Sequence, residues 1–179
     1  MKILKKLSEA LASLEQHHAA VAPLTALDEE KAARELVLLD TVDLHDSKSL
    51  AEISEVRLVR ELIPRKLTAM EAPGAALTDA LKAAVAEAFT FYNGQLHAKC
   101  EALRSVLRNY LAPVISDPAR LDQHILDAWG GNALAAQLDG LSMSHEFSLG
   151  THKENAAGVA RKMLLSFDTL DGITIPEKL

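Results

Sequence analysis

Hydrophobic positions recur along this chain with a helical rather than a strand period. Leu4, Leu7, Leu11, Leu14, His18 and Val21 follow one another at spacings of three and four, the interval that lines up side chains on one face of an α-helix. Pro23 is expected to end that helix, because proline has no amide hydrogen and its ring collides with the carbonyl one turn back. A second helix is predicted from near Thr25, where Asp28, Glu29 and Glu30 place negative charge at the positive end of the helix dipole. It runs through Leu36 and Leu39. The run Leu36-Val37-Leu38-Leu39 fits a buried strand as well as a helix, and periodicity alone leaves both open.

Ser49 and Glu52 have the spacing of a capping box, which predicts a helix start at that point. Leu50, Ile53, Val56, Val59 and Ile63 form its apolar face. Pro64 predicts a kink or a restart, and Glu71-Ala72-Pro73-Gly74 reads as a linker. The longest pattern follows. Leu81, Val85, Phe89, Tyr92, Leu96, Cys100, Leu103, Leu107 and Tyr110 are three or four residues apart throughout, which predicts one helix from about Thr78 to Leu111. Asn93-Gly94 is its weak point, since an interior glycine costs about 1 kcal/mol relative to alanine.

Asp117-Pro118 predicts the next start, an N-cap acceptor followed by proline at the first helical position, and Trp129-Gly130-Gly131 the stop. A short helix is predicted from Asn132 to about Leu138. Thr151 and Glu154 form another capping box before a helix through Val159, Met163, Leu164 and Phe167. Asp171-Gly172 then turns the chain into a short extended tail, Ile173-Thr174-Ile175.

Composition points the same way. Of 179 residues, 29 are Ala and 30 are Leu, both strong helix formers, while aromatics make up only 4%, too few for a β-sandwich or barrel. The expected fold is therefore all-α, a bundle of about six or seven helices around one long central helix, about 78–111. Residues 1–72 are expected to form an N-terminal helical hairpin region packed on the rest. Residues 75–179 supply the long helix and the C-terminal helices of what is expected to be one composite domain.

Charge narrows the function classes. The formal net charge is −6, and the densest basic stretch, Arg57, Arg60, Arg65 and Lys66, has Glu61 inside it. A nucleic-acid binder needs a concentrated basic face to neutralise phosphates, so nucleic acid is disfavoured as a partner. The single Cys100 excludes an internal disulfide. Glu9, Glu15, His17 and His18 break up what would otherwise be the apolar region of a signal peptide, and no apolar run is long enough to span a bilayer. A soluble, cytoplasmic protein is expected.

Seven histidines make metal chemistry the first candidate. Glu15 and His18 have the Glu-x-x-His spacing of a di-iron helix, but that site needs two such pairs and no other histidine has a glutamate three residues before it. His97, Cys100 and Glu101 share neighbouring faces of the long helix and could offer two ligands, short of the number zinc requires. In the segment containing His145-Glu146 and His152, the second histidine of a His-Glu-x-x-His helix would fall on Leu149. Gly140-Leu141-Ser142-Met143-Ser144 is one residue short of a nucleophile elbow and lacks the preceding strand. Phosphate loops and dinucleotide fingerprints are missing from the sequence. No cofactor is implied and no catalytic residue is assigned.

Leu134-Ala135-Ala136-Gln137-Leu138 followed by Gly140-Leu141-Ser142 resembles the first helix and turn of a helix-turn-helix spanning 134–149. Asp139 is an extra residue in that register, and Met143 to Leu149 contains no Arg or Lys, whereas a recognition helix needs donors for base edges and phosphates. A different feature is favoured. Phe89, Phe91 and Tyr92 gather three of the seven aromatics, with Phe91 off the core stripe, and are the candidate interface. The expected function is a non-enzymatic helical interaction protein, an assembly or adaptor component that self-associates. A DNA-binding regulator and a small-ligand or metal-binding helical protein are the alternatives.

Overall fold

The structure, a computed structural model, describes residues 2–43, 45–142 and 156–178. The Thr151/Glu154 capping box, His145, Glu146, His152 and the segment Met143 to Leu149 lie outside the described residues. Within them the chain forms five α-helices and no strand: α1 (Lys2–Thr41), α2 (Ser47–Leu111), α3 (Pro118–Gly130), α4 (Ala133–Gly140) and α5 (Ala156–Gly172). The all-α class agrees with the sequence pattern.

The helix number, five rather than six or seven among the described residues, differs because three expected breaks do not occur. The 40-residue α1 runs through Pro23, and the 65-residue α2 runs through Pro64 and Pro73. The expected linker at 71–74 is therefore helical, the predicted helix at 78–111 is the C-terminal part of α2, and Asn93-Gly94 does not divide it. An interior proline costs about 3 kcal/mol in an isolated helix. Here all three prolines are exposed, on the side of the helix where a carbonyl that loses its partner can be hydrated. Meanwhile Leu14 before Pro23, Ile63 beside Pro64 and Leu81 after Pro73 are buried, each worth roughly 1.5–3 kcal/mol of transfer free energy. Burial at these positions offsets part of the cost of the local breaker.

The ambiguous run 36–39 is helical, and only Leu38 of its four residues is buried. The start of α2 also differs from expectation. Asp46 caps it, accepting from the amides of Lys48 at 3.1 Å and Ser49 at 3.2 Å and from the Ser49 hydroxyl at 2.7 Å. A carboxylate that satisfies two free amides next to the positive dipole end displaces the Ser49/Glu52 box, and Glu52 pairs instead with Arg34 at 2.5 Å.

The Asp117 cap is as expected, and Asn132, the expected first residue of the short helix, is instead the cap of α4. Asp117 accepts from the Ala119 amide at 3.0 Å, and Asn132 from those of Leu134 at 2.8 Å and Ala135 at 3.2 Å. α5 continues to Gly172, and Lys99 of α2 donates to the carbonyls of Leu170 at 2.6 Å and Ile173 at 2.5 Å. A cation thereby meets the negative end of the α5 dipole.

The chain divides into two compact units, Glu9–Leu81 and Met1–Ser8 with Lys82–Leu179. In the first, α1 and α2 run antiparallel. Leu38 packs with Ile53 and Val56, Glu35 meets Arg57 and Arg60, and His17 lies against Gly74. Each step back along α1 is matched by a similar step forward along α2. In the second unit the helices surround a larger core that includes the fully buried Tyr92, Leu103, Leu138, Met163, Phe167 and Leu170. Among the described residues no helix is long and apolar enough to cross a membrane.

Candidate functional site

The aromatic group singled out in the sequence lies in the larger unit. Tyr92 is fully buried, sits edge-on to Phe167 of α5 at 5.1 Å between centroids, and donates its hydroxyl to the Leu141 carbonyl at 2.9 Å. Burial raises its phenol pKa above the ordinary tyrosine value. Phe91 is half-buried and stacks on the same Phe167 ring, at 6.0 Å and 28°. Phe89 is half-buried too. One ring from α5 thus gathers Phe91 and Tyr92 within this unit, in the offset and edge-to-face geometries that aromatic quadrupoles favour.

His97 and Glu101 are exposed and Cys100 is half-buried. Glu101 accepts from Arg104 at 2.8 Å. Burial, and after it the negative charge of Asp139, pushes the Cys100 thiol above its ordinary range, with Glu101 acting in the same direction and Arg104 against it. A thiol held protonated is a weak nucleophile and a weak metal ligand. No three His, Cys, Asp or Glu side chains among the described residues come together in an arrangement that could hold a metal ion.

The first helix of the helix-turn-helix resemblance is α4, whose Ala135 and Leu138 are buried. Asp139 accepts from the Trp129 indole at 3.1 Å, and Arg104 lies over that indole ring at 5.1 Å. These contacts tie α4 to α3 and α2 as a core element. The would-be recognition helix lies outside the described residues.

The smaller unit carries features that the sequence reading passed over. Glu35 accepts from Arg57 at 2.8 Å and Arg60 at 2.5 Å, and these two hydrogen bonds hold its carboxyl below the ordinary glutamate range. A groove of about 340 Å³ is lined by His17, His18, Val21, Leu67, Met70, Glu71, Gly74 and Thr78. Gly74 faces the His17 ring so closely that a Cβ there would lie 2.6 Å from Nε2.

Most distinctive is what the smaller unit leaves in water. Leu36, Val37, Leu39, Leu50, Leu58 and Leu62 are exposed by 41–70%. Leu58 and Leu62 are a helical i,i+4 pair on the side of α2 away from Ile53, Val56 and Ile63. The signal was present in the sequence as a second leucine spacing out of phase with the first. Comparison with protein-family models, with curated proteins and with solved structures finds no match in any of the three.

Proposed function

We propose that this chain is a non-enzymatic helical interaction protein, an assembly or adaptor component whose smaller unit is completed by self-association. One observation carries the reading. In residues 9–81 the buried apolar side chains are Leu11, Leu14, Leu38, Ile53, Val56, Ile63 and Leu81, while six large apolar side chains stand exposed. Two helices bury one stripe each against the other, so a second apolar stripe on either needs a further helix. Six of the ten large apolar side chains exposed among the described residues lie in this unit, and exposed apolar surface is a mark of association sites. The titrating groups support the same reading: Glu35, whose carboxyl two arginines hold below the ordinary range, joins the two helices, and the shifted thiol is moved away from reactivity. With one cysteine in the chain, a reducing compartment such as the cytoplasm suits it.

Native mass spectrometry on protein purified without added metal or chelator tests this. The expected result is a multiple of the 19.4 kDa chain with no additional mass. A monomer at tens of micromolar overturns the self-association, and extra mass on it would redirect attention to a ligand.

A further inference from the structure

On α2 the residues Ala51, Glu55, Leu58, Leu62, Arg65 and Ala69 follow one another at alternating spacings of four and three. All six are exposed. At 100° per residue they form a narrow stripe roughly 150° around the helix from the stripe of Ile53, Val56 and Ile63 that faces α1. Spacings of four and three over nearly three heptads follow the register of a coiled-coil seam, here with leucine at the centre and charge and alanine towards the ends, and within its own unit this stripe has no apolar partner. Glu55 and Arg65 also take no part in the ion pairs that link α1 to α2 here, Arg34–Glu52, Arg57–Glu35 and Arg60–Glu35.

The order of residues along the stripe says what covers it. Read from its centre at residue 60, the stripe is alike in both directions: leucine, then a charge, then alanine. The one difference is the sign of the charge, negative at Glu55 and positive at Arg65. Laid antiparallel on a second copy about a two-fold axis at residue 60, Leu58 meets the other Leu62, Glu55 meets the other Arg65, and Ala51 meets the other Ala69. Each pair occurs twice, as an isologous interface requires. Laid parallel, the stripe would set Glu55 against Glu55 and Arg65 against Arg65, which like-charge repulsion disfavours. The small alanines at the ends allow close approach of the two helices.

We propose that residues 51–69 of α2 are the self-association surface, pairing antiparallel with the same segment of a second copy. The proposal rests on the self-association reading above and adds its surface, partner and orientation. Because two Glu–Arg pairs form per dimer, dimerisation depends on ionic strength, since exposed charges are screened by salt.

Sedimentation velocity over a concentration series, with circular dichroism as the folding control, tests it. Glu55→Arg alone and Arg65→Glu alone each place like charges across both copies of the contact and are expected to weaken dimerisation at least tenfold. The combination Glu55→Arg with Arg65→Glu exchanges the signs and is expected to restore it to within about threefold of wild type. Leu58→Glu with Leu62→Glu abolishes it. An oligomer that persists unchanged in the Leu58→Glu/Leu62→Glu chain overturns this surface while leaving self-association standing. A wild-type chain that stays monomeric at every concentration removes both. Orientation is read separately in Cys100→Ser chains carrying Ala51→Cys or Ala69→Cys. A disulfide between the two different chains in a mixture supports the antiparallel pairing, and 51–51 bridges formed in preference to it overturn it.

Discussion

Glycine at two positions of α2 serves opposite ends. At Gly94 a Cβ would meet nothing within 4 Å, and the residue is exposed in the helix interior. Gly94→Ala is therefore expected to raise stability by about 1 kcal/mol, the propensity difference alone, read as a shift of the denaturation midpoint at constant slope. At Gly74 the same change pushes a methyl group against the His17 ring. Gly74→Ala is expected to gain clearly less than Gly94→Ala, and to recover the difference once His17→Ala removes the ring. A double-mutant cycle isolates that coupling. Cys100 gives a second prediction on this scale. Burial and the neighbouring Asp139 and Glu101 raise its thiol pKa, and only the thiolate reacts. Its alkylation rate at pH 8 should fall several-fold below that of a free cysteine and keep rising at pH values where an ordinary thiol has levelled off.

Among the elements, α1 and α2 of the smaller unit are joined at Glu35. Both arginines lower its pKa in the folded chain, so the folded chain takes up this proton at a lower pH than the unfolded chain does. The stabilisation is complete above the unfolded glutamate value, about 4.3, and is lost as pH falls through the lower folded value. Glu35→Gln should lower the melting temperature at pH 7, with the gap to wild type closing as pH drops below about 4. Helix ends follow the same logic of supplying partners to free backbone groups. Asn132→Ala deprives the Leu134 and Ala135 amides of their acceptor and should cost about 1 kcal/mol, again read from the denaturation midpoint. Around Phe91 and Tyr92 the sequence located an aromatic cluster, with Tyr92 on the main stripe and Phe91 off it. That cluster finds an intramolecular partner in Phe167, 75 residues after Tyr92, a distance over which no periodicity signal operates.

At the scale of the molecule the two units differ in how much apolar surface each withdraws from water. The larger unit buries Tyr92, Phe167, Met163 and many leucines, whereas the two-helix segments at 9–81 leave about as many large apolar side chains outside as in. Local opening is easiest where buried apolar contact is sparse. In dilute protein, amide hydrogen exchange should be faster over 15–75 than over 84–107, and protection of 51–69 should rise with protein concentration if those residues pair between copies. Concentration-independent exchange at 51–69 would count against that surface.

What the sequence determined by itself was the class of structure and the local signals close in the chain. Alanine and leucine abundance and the three-and-four spacing made every described element a helix, and Asp117 and Asn132 announced α3 and α4, because propensity, periodicity and capping act within a few residues. Long-range packing settled where the helices do not stop and which stripe finds a partner. Pro23, Pro64 and the Glu71–Gly74 segment carry strong local breaker signals, yet α1 and α2 run through them, with packing between distant residues offsetting part of the lost hydrogen bond. Likewise Phe91 and Leu58 are both apolar residues off a core stripe, indistinguishable by spacing. Phe91 meets a ring from a distant helix and Leu58 meets water, and that difference arises from long-range packing alone.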